Sequence, residues 1–209
     1  MNVIVFGATG SVGRLAVETM LEAGHEVTAF ARRPETLALR HANLRLLAGD
    51  AADRDAVVAA MAGQDAAVVT LGAGMDRKSR IRSVGTLNVI AAMQQRGVPR
   101  LIVQSTLGAH DSWGNLNFFW KRVMFGALLR PVFRDHELQE QLVRASGLDW
   151  TIVRPSALSD QTPEGALIED VPATRRGLGL TISREEVAGF LTRQLGDMHY
   201  LGRAVGLSH

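Results

Sequence analysis

The sequence predicts an α/β fold, a doubly wound parallel sheet with strands in the order 3-2-1-4-5-6, and three observations carry that expectation. The chain opens on an apolar, β-branched run, Asn2 to Phe6, which passes through Gly7, Gly10 and Gly13 into a helical pattern. Short β-like runs and longer stretches of helical period then alternate as far as Val153. Right-handed crossovers between parallel strands leave that strand order as the natural one.

Taken in order, Val3, Ile4 and Val5 have the continuous apolar character of a central strand covered on both faces. Leu15, Val17, Met20 and Leu21 suit a helix leaning on that sheet, stopped by Gly24. Glu26 to Phe30 is the second strand and Leu44 to Ala48 the third. Asp53 to Met61 reads as a helix, Ala66 to Leu71 as the fourth strand, and Ser79 to Arg96 as a long amphipathic helix ended by Gly97. Its apolar positions are Val84, Leu87, Val89, Ile90 and Met93. Arg100 to Gln104 is the fifth strand, His136 to Ser146 a helix, and Trp150 to Val153 the sixth strand, leading into Arg154-Pro155. The proline is expected to forbid further central pairing. From Ser156 onward the chain reads as a short capping region of the same unit, so residues 1–209 are expected to form one domain.

Composition narrows the function classes. With 209 residues, 46% of them hydrophobic, the chain can bury a full core. A formal net charge of +2 gives no general polyanion-binding surface, so nucleic acid is not an expected partner. The absence of cysteine excludes disulfides, thiolate metal sites and cysteine nucleophiles, and fits a cytoplasmic protein. No apolar run reaches the length of a membrane span and the N-terminus is not a signal segment, so a membrane association is not expected. No histidine and carboxylate spacing suggests a metal site. The expected partner is a small-molecule substrate, with the oligomeric state left open.

In a doubly wound sheet, ligands lie across the carboxyl ends of the strands, and those ends can be read from the sequence. They are Gly7, Thr9, Gly10, Ser11, Val12 and Gly13; Arg32 and Arg33; Asp50 and Ala51; Leu71, Gly72 and Ala73; Gln104, Ser105 and Thr106; and Pro155, Ser156 and Ala157. Gly7 suits the tight turn off the strand, Gly10 leaves room for a pyrophosphate, and Gly13 lets the helix approach the strand. The helix that follows presents unpaired N–H groups and a positive dipole end to phosphate. This is the pattern of a dinucleotide site.

Arg32 and Arg33 stand where such sites meet the adenosine ribose, and an acidic residue there would select NAD(H). Two guanidiniums instead favour a 2′-phosphate, so NADP(H) is expected over NAD(H); the competing reading is a pair of solvated loop charges. Asp50 reads either as an acceptor for the adenine amino group or as a turn or helix-capping carboxylate. Leu71 to Gly74 reads as backbone passing close to the adenosine or as a plain loop.

These residues resemble a known family. Gly7-Ala8-Thr9-Gly10 with Gly13, Arg32-Arg33, Gly49-Asp50, Ser105-Thr106, the run Ser146 to Pro155 and Asp160-Gln161 are similar to atypical short-chain dehydrogenase/reductases. Within that group the chain looks most like NmrA-like proteins and the flavin reductase, or biliverdin reductase B, branch. The resemblance covers almost the whole chain and implies an NAD(P)-binding Rossmann fold. It further implies a nicotinamide near Ser105 and Thr106, and a substrate covered by segments after the fifth and sixth strands, making residues 156–209 substrate-capping.

Two departures matter. The family's Tyr-x-x-x-Lys proton relay is missing, because the one tyrosine is Tyr200, near the C-terminus. Ala157 stands where the biliverdin reductase B branch has a histidine. What remains suits hydride transfer to a flat, conjugated acceptor such as a flavin or quinone, which is already electrophilic and draws its proton from water. Ser105 and Thr106 are the catalytic candidates, as hydrogen-bonding orienters; the plainer reading is that they finish the fifth strand. A non-catalytic redox sensor of NmrA-like type is the alternative function, and a nucleotide-sugar epimerase or dehydratase is disfavoured by the missing tyrosine.

His110, Asp111, His136 and Asp160 are weaker acid–base candidates, and Asp135 is expected to cap the helix that it begins. The aromatic segment Leu116 to Leu129 reads as a pocket lid, an oligomer contact, a membrane-surface helix or an ordinary core helix.

Overall fold

Val3, Ile4, Val5 and Phe6 are all fully buried, because the first strand, β1 (Asn2–Phe6), is the third of eight in its sheet and carries helices on both faces. The computed structural model describes residues 1–74, 76–161 and 163–209. After β1 come α1 (Ser11–Glu22), β2 (Glu26–Ala31), β3 (Leu44–Ala48), α2 (Arg54–Ala60), β4 (Ala66–Val69), α3 (Ile81–Arg96) and β5 (Arg100–Gln104). Then follow α4 (Arg130–Arg144), β6 (Asp149–Pro155), β7 (Ala157–Ser159), β8 (Ile168–Glu169), β9 (Thr181–Ser183), α5 (Arg184–Arg193) and β10 (Arg203–Ser208).

The large sheet runs β3-β2-β1-β4-β5-β6-β10-β8, so the expected order 3-2-1-4-5-6 is present and continues by two strands. Every pairing from β3 to β10 is parallel, and β8 closes the edge antiparallel to β10. Alternation along β1 sorts the two cores. Val3 and Val5 face α1 and α5 with Val17, Met20, Phe190 and Leu191, while Ile4 and Phe6 face α2, α3 and α4 with Met61, Val89, Met93 and Val143.

Four expectations change. Pairing does not stop at Pro155: the Ser156 N–H donates to the Leu207 carbonyl at 2.9 Å, and the Leu107 N–H donates to the Pro155 carbonyl at 2.8 Å. The C-terminal stretch, expected only to cap, is built into the sheet, since β10 extends the main sheet and α5 packs on α1. The start of α5 carries a full capping box, with Ser183 Oγ accepting from the Glu186 N–H and the Glu186 carboxylate accepting from the Ser183 N–H.

The fourth helix begins at Arg130 rather than His136, with Pro131 in its first turn, where a missing N–H costs nothing. Asp135 is therefore inside α4 and caps a different helix. Its carboxylate accepts the Arg82 and Ser83 N–H groups at 3.1 and 3.2 Å and the Ser83 hydroxyl at 2.5 Å, closing the N-terminus of α3.

Candidate functional site

The carboxyl ends of the parallel strands open into a cleft of about 940 Å³. Its first wall is the turn between β1 and α1. Gly7 sits at φ +84°, and a Cβ there would lie 2.7 Å from the Thr70 carbonyl oxygen of the neighbouring strand. A Cβ on Gly13 would lie 2.2 Å from the Gly7 carbonyl oxygen, so this glycine is what lets α1 close on the turn. Gly10 is the N-cap of α1 with no side-chain cap, and the first turn holds no acidic residue. The helix end therefore meets no side-chain cap and no first-turn carboxylate, the arrangement in which its N–H groups can receive an anion.

Most of the residues read from the strand ends line this cleft: Gly7, Thr9, Gly10, Ser11, Val12, Arg32, Asp50, Ala51, Leu71, Gly72, Ala73, Gln104, Ser105, Thr106, Pro155, Ser156 and Ala157. Gly13 is buried beneath the turn, and Arg33 lies outside the cleft, its carbonyl accepting the Thr36 N–H and hydroxyl at 3.2 and 2.7 Å. Arg32 is exposed at the end of β2 and enters no ion pair among the described residues. Asp50 takes the turn role, its Oδ1 accepting the Ala52 N–H at 2.9 Å, and the residue also lines the cleft.

Ser105 Oγ and Ser156 Oγ are buried, line the cleft and have no hydrogen-bond partner among the described residues. Their backbones are fixed by the sheet, the Ser105 N–H donating to the Val153 carbonyl at 2.7 Å. Unpaired buried hydroxyls cost free energy, and a ligand amide or hydroxyl in the cleft would recover it. A turn with no room for side chains, an uncapped helix, an unpaired arginine at the end of β2 and these two hydroxyls together fit an NAD(P)(H) molecule.

The far wall comes from the segment before α4. Residues Trp120–Leu128 form a π-helical stretch, in which Trp120 and Phe125 turn inward and line the cleft with Leu116, Leu129 and Val132. Phe125 stacks on Phe133, with centroids 4.6 Å apart. Phe118 and Phe119 point outward, 76% and 53% exposed. The segment is thus both a small core and a pocket wall.

His136 also lines the cleft, on α4. Burial and the Arg82 charge push its pKa down to about 3, so the ring is neutral at physiological pH; its Nδ1 lies 3.3 Å from Gln139 Oε1. Arg82 is a lining residue that sequence reasoning missed. Arg77, Lys78, Arg80 and Arg82 crowd the start of a helix, where the dipole disfavours cations, but nothing in the sequence singles out which of them is enclosed.

The remaining acid–base candidates lie elsewhere. Asp111 accepts from Arg154 at 2.9 Å, and the His110 ring lies 3.1 Å from the Glu137 carbonyl; both border a second cleft, of about 830 Å³. Arg154, at 1% exposure, grips Glu140 through two bonds of 2.9 and 2.7 Å. Asp160 pairs with Arg184 at the surface. Tyr200 packs against Phe190 and does not line the cofactor-sized cleft. Among the described residues no cluster of three or more histidines, cysteines or carboxylates could hold a metal, and no helix is long and apolar enough to cross a membrane.

The model of a family described as NAD(P)H-binding matches residues 7–198. A Bacillus subtilis protein named uncharacterized sugar epimerase YhfK is 27% identical over 215 residues, covering 100% of this chain and 94% of that protein. The structure of ChuY, an anaerobillin reductase from Escherichia coli O157:H7, superposes with a TM-score of 0.79 at 26% identity, over 99% of this chain and 96% of that one. A short-chain dehydrogenase/reductase from Veillonella parvula, solved in complex with NADP, shares the fold, with a TM-score of 0.82 at 17% identity over 100% of this chain and 94% of that one. These likenesses bear out the resemblance drawn from the motifs.

Proposed function

The chain belongs to the NAD(P)H-binding family, and from that premise we propose that it is an NADPH-dependent reductase of a flat, conjugated acceptor such as a flavin or quinone. The observation that carries this reading is a single cleft lined both by the glycine turn with Arg32 and by Trp120, Phe125, Leu129 and Val132. Such a wall suits a planar aromatic ligand beside the buried hydroxyl of Ser105.

Arg32 is the residue that reads the 2′-phosphate, acting alone because Arg33 lies outside the cleft. Asp50 meets the adenine end, and the uncapped first turn of α1 takes the pyrophosphate. When bound, the reduced nicotinamide supplies a hydride. Ser105 and Thr106 orient the carboxamide or the acceptor through their hydroxyls and do not serve as proton sources. No tyrosine or lysine lines the cleft among the described residues, and His136 is neutral, so the acceptor takes its proton from water.

Steady-state oxidation of NADPH with a panel of flavins and quinones tests the proposal. Turnover above the uncatalysed rate with at least one acceptor is expected. The missing side-chain acid also favours a second reading, a dinucleotide-binding redox sensor. That reading requires tight cofactor binding with no turnover, and a partner whose association differs between NADPH and NADP⁺.

A further inference from the structure

Arg82 is held in place without being satisfied. Its side chain is only 13% exposed, and a carboxylate oxygen, Asp135 Oδ2, lies 4.0 Å from Nη1. That carboxylate is already committed, accepting two backbone N–H groups and the Ser83 hydroxyl at the start of α3. Nη1 is buried with no hydrogen-bond partner among the described residues, and Arg82 lines the cleft. A guanidinium keeps its proton at any physiological pH, so this is a permanent positive charge with an unused donor turned to a ligand space.

Its neighbours place it on the acceptor side. Asp135 and His136 both belong to α4, the helix that connects β5 to β6, whereas the glycine turn and Arg32 follow β1 and β2. His136 is uncharged and offers no second cation there, and Asp76, the other acid on this stretch of the cleft, is exposed and bound to the Lys78 N–H at 3.0 Å. A neutral aromatic ring would leave Nη1 as it is. An oxyanion would accept its bond and pair with its charge.

We propose that Arg82 is a specificity-determining residue that binds an oxyanion, a carboxylate or a phosphate, carried by the acceptor. The proposal rests on the reductase reading for its meaning but has its own readout in binding.

The probes are two sibling pairs: riboflavin with flavin mononucleotide, which adds only a phosphate, and menadione with a naphthoquinone bearing a carboxylate chain. Binding of each to the NADP⁺-loaded protein is measured by fluorescence quenching, alongside kcat and KM with NADPH. Wild-type protein should bind at least one anionic sibling about tenfold or more tighter than its neutral twin, the scale of one charge-assisted bond. The pair that discriminates says whether the anion is phosphate or carboxylate. Arg82→Met should abolish that preference through KM while leaving kcat with neutral acceptors and NADPH affinity within about twofold. Arg82→Lys should retain part of it, and also serves if the methionine variant fails to fold.

Equal binding of both siblings in both pairs by wild-type protein would overturn the proposal. So would a loss of NADPH affinity in Arg82→Met or Arg82→Lys as large as the loss of anionic acceptor, since Arg82 would then be reading the cofactor. Anion-selective binding without any turnover would uphold the site and reject the reductase reading instead.

Discussion

In the proposed function a single guanidinium, Arg32, exposed at the end of β2 and free of ion pairs among the described residues, carries the choice between the two dinucleotides. A charge-assisted bond to phosphate is worth about 1.5–3 kcal/mol, so Arg32→Ala should weaken NADPH by roughly 10–100-fold and leave NADH nearly unchanged. Direct titration of both cofactors checks this, and equal losses would show that Arg32 does not read the phosphate. The same substitution at Arg33 should change neither, because Arg33 lies outside the cleft. Sequence spacing brought both arginines to the strand end, with Arg32 the nearer to it and so the better candidate. Which one faces the cleft depends on how the chain turns after Ala31, into the short helical turn Pro34–Leu37. Arg82 was illegible for the opposite reason. Cations at a helix start read as solvated, and only the packing of α4 against α3 reveals that one of them is enclosed.

Among the elements, β1, β3 and β5 were legible to the residue, because their apolar or β-branched runs end abruptly at glycine or polar residues. The helix α4 was not, because its first turn is set by Pro131 and by contact with the π-helical stretch rather than by its own periodicity. Placing Asp135 inside α4 joins that helix to the N-terminus of α3, with His136 beside the joint. A histidine whose folded pKa is about 3 binds no proton between that value and its ordinary 6.5, whereas the unfolded chain does. Its contribution is therefore nil above about pH 6.5 and increasingly unfavourable as pH falls toward 3. His136→Gln should flatten that part of the stability–pH curve, as read by thermal unfolding midpoints across the range. Parallel curves for variant and wild type would contradict it. At α5, Ser183→Ala removes the capping box and should cost about 1 kcal/mol, measured by urea unfolding. The pattern Ser183-Arg184-Glu185-Glu186 marks a helix start in the sequence itself, within the stretch expected only to cap the substrate.

Over the whole molecule, the strand order from β3 to β6 followed from the alternation of patterns, while the last two strands did not. β8 is two residues long, and β10, although it follows a turn at Gly202, lies in the stretch expected only to cap the substrate. Yet β10 buries Val205 and Leu207 against α1 and α5. Deleting Arg203–His209 should therefore abolish cooperative unfolding rather than merely open the cleft, as circular dichroism of the shortened chain would report. The functional reading rests on that same sheet, since Ser105 and Ser156 hold their positions through bonds to β6 and β10. The most direct test of the reductase reading is a single-turnover mix of the NADPH-loaded protein with excess flavin or quinone, following the loss of reduced nicotinamide absorbance. Decay faster than that of free NADPH under the same conditions is the predicted result. Decay at the free rate with every acceptor, in a protein that binds NADPH tightly, would contradict it.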